Sequence, residues 1–140
     1  MEEQDLFSVL QFIHKQLEKY FFVWRIDGSA NLRLQGVDVN VRVLELKTNA
    51  EGVRIFKEVF KNYFVQEDYN EEIQGDVLEF EILGFPVEVI NNKYNMLHRV
   101  KKITLQGMSL PVLPLREARE FYAVTGKEKT VTVLDRHLLR

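Results

Sequence analysis

The sequence of 140 residues contains no cysteine. Disulfide bonds, thiolate metal sites and cysteine nucleophiles are therefore excluded, and any site chemistry has to use oxygen or imidazole groups. The chain also lacks an excess of charge of one sign, because its formal net charge at pH 7 is -2. A chain so close to neutrality exerts no general attraction on nucleic acid or on an anionic membrane. We therefore do not expect nucleic acid as a partner.

Long apolar runs are missing as well. No segment reaches the roughly 18 apolar residues of a membrane-spanning helix, and the acidic start of the chain lacks the basic and apolar parts of a secretory signal. No repeat, low-complexity tract or linker interrupts the sequence. With 46% hydrophobic and 29% charged residues, the chain has the balance of a globular protein. We expect one domain covering residues 1–140, a cytoplasmic location and no membrane partner.

The apolar pattern predicts a helix followed by a buried strand at the start of the chain. An apolar stripe at three- and four-residue steps predicts an amphipathic helix over about residues 3–19. Residues 21–26 form an aromatic and β-branched run that ends at Asp27, which favours a strand. The aromatic cluster in this region is expected to belong to the core rather than to a base-stacking surface, and its members are Tyr20, Phe21, Phe22 and Trp24.

The rest of the chain alternates between strand and helix patterns. Valines and leucines over residues 39–46 predict a second strand, and Asn49 is a candidate cap for the helix that follows. Later patterns predict a hairpin of residues 77–83 and 85–90 joined at Gly84, short strands at 103–105 and 110–113, and helices over 115–124 and 127–139. Together they predict an α/β (α+β) protein with a mixed sheet of four to six strands flanked by helices.

The turn Gly28-Ser29 is the first candidate for chemistry. A strand that runs into Gly-Ser at the start of a helix presents free backbone N–H groups and a hydroxyl, which together suit a phosphate. The same pattern is commoner as a plain turn with a helix cap. The turn alone is therefore weak evidence for an anion site.

The wider order of motifs is more specific. Gly28-Ser29 is followed by Leu34-Gln35-Gly36, by Val41-Arg42-Val43-Leu44-Glu45-Leu46, by Phe85-Pro86-Val87-Glu88-Val89, and near the end by Leu110-Pro111-Val112-Leu113 and Gly126-Lys127-Glu128-Lys129. This order resembles the minimal nucleotidyltransferase family, particularly its uncharacterised bacterial and archaeal branch. The resemblance covers about residues 22–139 and implies a nucleotidyltransferase-like fold.

The resemblance also implies a site. In that family, two Mg²⁺ ions held by an Asp-x-Asp pair and a third carboxylate assist attack on the α-phosphate of a nucleoside triphosphate. Gly28 and Ser29 correspond to the phosphate-binding turn and Glu88 to the third carboxylate, whereas the acidic pair falls on Val43 and Glu45. Val43 cannot bind a metal ion, and Glu45 is longer than the usual aspartate. Glu45 and Glu88 are thus the candidate catalytic and metal-binding residues.

Other polar residues receive weaker assignments. Lys129, at the start of the last helix, is a candidate phosphate ligand, because a positive charge there is slightly unfavourable for the helix, which permits a ligand role without requiring one. The three histidines lack the spacing of a metal site. The basic run at residues 98–102 is typical of a solvated strand edge.

The missing carboxylate favours a catalytically degenerate protein that binds a nucleotide or acts through a protein partner. The resemblance implies such a partner, because small members of the family are often paired with a helical protein. One alternative is an active enzyme that uses Mg²⁺ and a nucleoside triphosphate and moves a nucleoside monophosphate to an acceptor. Its third carboxylate would be Asp38, after a register slip onto residues 38–40, or Glu79. Another alternative is a structural or interaction module without a ligand.

Overall fold

The computed structural model describes residues 1–139, in which helices flank a sheet of seven strands. Within this part of the chain, the helices are α1 (Glu3–Leu17), α2 (Gly28–Leu34), α3 (Ala50–Val59), α4 (Leu115–Val124) and α5 (Glu128–Leu138). The strands are β1 (Trp24–Asp27), β2 (Leu44–Thr48), β3 (Phe64–Asn70), β4 (Gly75–Ile82), β5 (Phe85–Asn92), β6 (Lys101–Leu105) and β7 (Met108–Val112).

The sheet has the order β3-β4-β5-β2-β1-β7-β6. Two neighbouring pairs, β2 with β5 and β1 with β7, are parallel, and the other pairs are antiparallel. The predicted α+β class with a mixed sheet is therefore confirmed. Strands β1, β2 and β5 lie in the middle of the sheet, and β2 and β5 carry the candidate site residues Glu45 and Glu88.

The predicted number of strands is wrong, because β3 was not expected. All seven residues of β3 are exposed, and the strand lies at the edge of the sheet, where it pairs with β4 alone. A strand without a buried face has no reason to alternate apolar and polar residues, so the sequence pattern carried no signal for it.

The core lies between the sheet and two helices. The apolar stripe of α1 is fully buried, as are the aromatic rings of Phe56 on α3 and Phe60 directly after it. They pack against apolar side chains of the central strands, which include Ile26, Leu44 and Leu46. A second, smaller cluster joins α2 to the last two helices through Leu32, Val37, Leu113, Ala118 and Leu134. The last two helices, α4 and α5, contact each other and lie close to the positions that the sequence predicted.

Two predicted strands begin later than expected. Strand β1 begins at Trp24, which pairs with Thr48, so residues 21–23 precede the sheet. The prediction that the whole aromatic cluster is buried is therefore wrong: Phe22 packs edge-on against Phe56 at 5.8 Å between ring centroids, but Phe21 is 94% exposed. Strand β2 likewise begins at Leu44, and the residues before it form a connection without strand pairing.

The local signals for α3 and the central hairpin are confirmed. The side chain of Asn49 accepts a hydrogen bond from the N–H of Gly52 at 2.9 Å and so caps α3. Gly52 has no room for a side chain, because an added Cβ would lie 1.7 Å from Oγ1 of Thr48. Gly84, with φ +83°, makes the turn between β4 and β5. No helix among residues 1–139 is long and apolar enough to cross a membrane.

Candidate functional site

The turn between β1 and α2 lies against the side chain of Glu45. Asp27 ends β1, and Gly28 begins α2 with φ +66°, a conformation that favours glycine. A Cβ added to Gly28 would lie 3.2 Å from Oε2 of Glu45. A residue with a side chain at this position would therefore press on the Glu45 carboxylate. Both the backbone angle and the close approach explain why glycine stands here.

Four carboxylates form a row across four neighbouring strands. Asp27 on β1 pairs with Glu45 on β2, Glu45 pairs with Glu88 on β5, and Glu88 pairs with Glu79 on β4. Residues directly opposite each other in a sheet point to the same face. The row therefore lies on one face of the sheet, whereas the next residues along β2, Leu44 and Leu46, turn to the apolar core on the other face.

A cavity of about 300 Å³ opens at this row and the neighbouring turn. It is lined by Gly28, Ser29, Asn40, Arg42, Val43, Glu45 and Glu88. The structure thus brings together the four candidate residues Gly28, Ser29, Glu45 and Glu88, although 60 positions separate Gly28 from Glu88 in the sequence. Val43, two residues before Glu45, lines the same cavity. No aromatic side chain of the described residues is among its walls.

The two glutamates in the cavity are harder to ionise than free glutamates. Burial raises the pKa of Glu45, the neighbouring carboxylates of Asp27 and Glu88 raise it further, and Lys47 acts in the opposite direction. Burial also raises the pKa of Glu88, with a second contribution from Glu79 on the next strand. The cavity therefore concentrates negative charge in a place where water only partly screens it.

Asp27 is engaged by Arg25 on the same strand. The guanidinium donates to both carboxylate oxygens, at 2.5 Å from Nε and 2.9 Å from the second nitrogen. Arg25 is 2% exposed and also donates to the backbone carbonyls of Asn95, Met96 and Arg99. Asp27 is thus neutralised within the protein and does not line the cavity.

Two other predicted residues lie away from the cavity. Lys129 is exposed in the first turn of α5 and is not among the residues that line the cavity. Asp38 is exposed and lies 3.5 Å from Arg33 in an ion pair, outside the cavity and before β2 begins. Glu79, in contrast, stands beside Glu88 in the row of carboxylates.

Three neighbours of the site were not assigned from the sequence. Asn40 and Arg42 line the cavity from the connection before β2, which the sequence pattern had assigned to a strand. Arg42 is exposed and has no carboxylate partner among residues 1–139. Tyr122 on α4 lies close enough for Glu45 and Asp27 to add to the effect of burial, which together raise its pKa to about 12. The sequence contains no local signal for these contacts.

The residues present do not fit a pair of metal ions. Within residues 1–139, no group of three or more His, Cys, Asp or Glu side chains could hold a metal ion. Glu45 and Glu88 line the cavity together with the aliphatic side chain of Val43, and the carboxylate of Asp27 is paired with Arg25. A two-ion site needs several hard oxygen ligands around each ion, and the cavity does not provide them.

Comparisons with known proteins identify the fold. No protein-family model matches the sequence, and no curated protein matches it either. Among solved structures, a candidate nucleotidyltransferase from Thermotoga maritima superposes with a TM-score of 0.79 at 22% identity, over 99% of this chain and 95% of the other. The antibiotic-resistance factor ANT(2'')-Ia has a TM-score of 0.68 at 11% identity, with 99% and 86% of the two chains covered.

The lincosamide antibiotic adenylyltransferase LnuA, in a lincomycin-bound structure, has a TM-score of 0.63 at 10% identity, with 96% and 97% of the two chains covered. These matches span almost the whole of this chain, and two of the three neighbours are of nearly the same length. The chain therefore has the nucleotidyltransferase fold, as the order of its motifs predicted. At such low identities, the likeness concerns the fold and not the activity.

Proposed function

We propose that this protein of the nucleotidyltransferase fold binds the phosphate groups of a nucleotide in the cavity at Gly28 and Ser29 and does not transfer the nucleotide. One observation supports the proposal: Ser29, Arg42, Glu45 and Glu88 line a single open cavity, and Val43 lines it at the position to which the family resemblance assigns a carboxylate. The cavity is open to a bound molecule, but its residues offer too few metal-coordinating groups for two metal ions.

Phosphate binding is supported by the donors at the cavity. Gly28 and Ser29 contribute backbone at a tight turn and a hydroxyl, and Arg42 contributes a guanidinium without a carboxylate partner among residues 1–139. Arginine suits phosphate because its planar group donates two parallel hydrogen bonds. Glu45 and Glu88 have a raised pKa, and their ionised carboxylates repel a phosphate.

The absence of transfer follows from Val43. Charge that develops on the phosphate oxygens during transfer has to be neutralised, and in this fold divalent ions commonly do so. An isopropyl group cannot hold an ion. We therefore expect the protein to bind a nucleoside triphosphate without releasing pyrophosphate from it.

Calorimetric titration with ATP and GTP, each with and without Mg²⁺, tests this proposal. We expect binding that persists in the presence of EDTA and becomes about tenfold weaker in Arg42→Gln, which corresponds to the loss of one charge-assisted contact. Glu88→Gln should bind more tightly than the wild type, because it removes a like charge from the cavity. Arg54→Gln and Glu58→Gln on the exposed side of α3 are matched controls and should bind as the wild type does.

An active metal-dependent nucleotidyltransferase is the second candidate, and the position of Glu79 beside Glu88 favours it. In that case a nucleoside triphosphate and Mg²⁺ would be the cofactors, and the carboxylates of Glu45, Glu88 and Glu79 would hold the metal ions. Binding that requires Mg²⁺ and disappears in Glu88→Gln would support this candidate and contradict the first. If neither nucleotide binds under any condition, both candidates are wrong and an interaction module, acting through a protein partner, is what remains.

A further inference from the structure

The side chain of Glu45 covers the turn at Gly28. Outside α2 and the adjoining residues, the three atoms nearest to a Cβ added to Gly28 are Oε2, Cβ and Cδ of Glu45, at 3.2, 3.3 and 3.4 Å. The glutamate is thus folded along the turn, and its carboxylate lies directly beside the backbone of Gly28. The space that a side chain at position 28 would need is filled by the protein's own anionic group.

The register of two neighbouring strands produces this contact. Asp27 ends β1 and pairs with Glu45 of β2, and Gly28 follows Asp27 directly. Gly28 has φ +66°, a conformation that residues with a side chain rarely adopt. Because glycine has no Cβ, the side chain of Glu45 can approach the backbone at this point. A glycine at the turn and a long acidic side chain across the ladder are therefore both needed for the covered arrangement.

No hydrogen bond or ion pair within residues 1–139 holds the Glu45 carboxylate in this position. Lys47 attracts it electrostatically, but the Lys47 ammonium donates a hydrogen bond to Asn92, at 3.3 Å. Asp27 and Glu88, its neighbours in the row of carboxylates, repel it. The carboxylate can therefore leave the turn without breaking a hydrogen bond.

A phosphate at the turn would need the place that this carboxylate occupies. Ser29 and Arg42 line the same cavity of about 300 Å³ as Glu45, so a phosphate that contacts them and the Gly28 backbone meets the carboxylate there. Two anionic groups repel each other at contact distance. Either the phosphate stays away from Gly28, or the Glu45 side chain moves aside into the open part of the cavity.

We propose that Glu45 is a movable cover of the phosphate site: its carboxylate occupies the turn at Gly28 in the free protein, and a phosphate of the ligand displaces it. This inference rests on the proposed phosphate binding and adds a self-inhibiting contact to it. The covered state does not bind, so the affinity of the protein is reduced to the fraction of molecules in which the turn is open. A turn that is open about a tenth of the time binds about tenfold more weakly than one that is always open.

Calorimetric titration in EDTA with ATP and with inorganic tripolyphosphate tests the cover, and paired variants separate the cover from its charge. Glu45→Gln loses the charge and keeps the length of the side chain, whereas Glu45→Ala loses both and leaves the turn open. We expect Glu45→Ala to bind both ligands about tenfold more tightly than Glu45→Gln does. The gain should be equal for tripolyphosphate, because the displaced carboxylate competes with a phosphate and not with the nucleoside.

Glu88 supplies the matched comparison, because it lines the same cavity and contributes none of the three atoms nearest to the added Cβ of Gly28. Glu88→Ala and Glu88→Gln should therefore bind with equal affinity. Glu58→Ala, on the exposed side of α3, should bind as the wild type does. Circular dichroism melting shows whether each variant is folded, and Glu45→Ser is a second short variant if Glu45→Ala is not.

Two results would overturn the inference and leave phosphate binding intact. Equal affinities of Glu45→Ala and Glu45→Gln would show that only the charge of Glu45 matters. A difference between Glu88→Ala and Glu88→Gln as large as that at position 45 would show that added space, and not the uncovered turn, is the cause. If neither ligand binds to the wild type or to any variant, the proposed function itself is wrong and the inference fails with it.

Discussion

At the scale of the single residue, Glu45 illustrates how the site is held at a cost to stability. Its carboxylate lies against Gly28 and shares the sheet face with Asp27 and Glu88. Burial and these like charges raise the pKa of Glu45 above its ordinary value of 4.5. The folded chain thus holds the proton more tightly than the unfolded chain does. The free energy of unfolding therefore falls as pH rises from about 4.5 through the raised pKa.

Glu45→Gln removes this titration and keeps the shape of the side chain. We expect the variant to be more stable than the wild type near neutral pH, by on the order of 1 kcal/mol, because an amide is not charged when buried. The difference should shrink as pH falls below 4.5, where the wild-type side chain is neutral too. Urea denaturation at a series of pH values measures it, with the exposed Glu58→Gln as the control. A variant less stable than the wild type at every pH would contradict this explanation.

The sequence identified some residues of the site and not others. Gly28, Ser29, Glu45 and Glu88, which line one cavity, could be named as candidates because their order along the chain resembles a known pattern. Asn40 and Arg42 could not, because they line the cavity from an irregular connection whose path no periodicity describes. Lys129 was a candidate on charge alone and does not line the cavity.

At the scale of the element, Arg25 connects strand β1 to the connection between β5 and β6. Its guanidinium donates two hydrogen bonds to Asp27. The side chain is shielded from water, because Arg25 is 2% exposed. It also satisfies three backbone carbonyls of residues 95–99 at 2.7 to 3.2 Å. This one side chain therefore orders a segment that forms neither helix nor strand.

Arg25→Met leaves the Asp27 carboxylate buried without a counter-charge and leaves those carbonyls without a donor. We expect a loss of about 3–5 kcal/mol in the free energy of unfolding, the usual effect of removing one partner of a buried ion pair. The double variant Arg25→Met/Asp27→Asn should recover part of the loss, because the isolated charge is gone. Chemical denaturation measures both, and hydrogen exchange should show faster exchange in residues 93–100 in both variants. Equal stability of the single and double variants would show that the charge of Asp27 is not the cause.

The elements themselves were predictable to different degrees. Helix α1, the cap of α3 at Asn49 and the hairpin at Gly84 follow from neighbours in sequence, and the structure contains all three. Strand β3 has no buried face, so it depends on pairing with β4 and leaves no pattern. The start of β1 at Trp24 likewise depends on a distant residue, because Trp24 pairs with Thr48 of β2.

At the scale of the whole molecule, the main core and the candidate site lie on opposite faces of the sheet. The nucleotidyltransferase fold is maintained by a core on one face of the sheet, and the carboxylates lie on the other face. The main core therefore does not depend on which residue stands at position 43. Val43 itself is half-buried at the cavity and carries none of the core.

Val43→Asp places a carboxylate two residues before Glu45 in the same cavity. We expect the variant to fold with little change in its melting temperature and to bind ATP about tenfold more tightly with Mg²⁺ than without it, the gain from one charge-assisted contact. Val43→Asn, of similar shape and without charge, should show no such dependence on Mg²⁺. Calorimetry measures the binding, and a pyrophosphate assay follows any transfer. A wild-type protein that already shows the same dependence on Mg²⁺ would refute the idea that Val43 disables the site.

From the sequence by itself it was possible to determine the class of the fold, most helices and strands, and the positions of the Gly-Ser turn and its two glutamates. These features depend on residues near each other in the chain, whose spacing reports which face is buried. The tertiary structure alone decided that Arg25 neutralises Asp27, that Arg42 lines the cavity and that Phe21 is exposed. These contacts depend on the order of the strands and on where each strand begins, because both determine which distant residues become neighbours and which side chains remain in water.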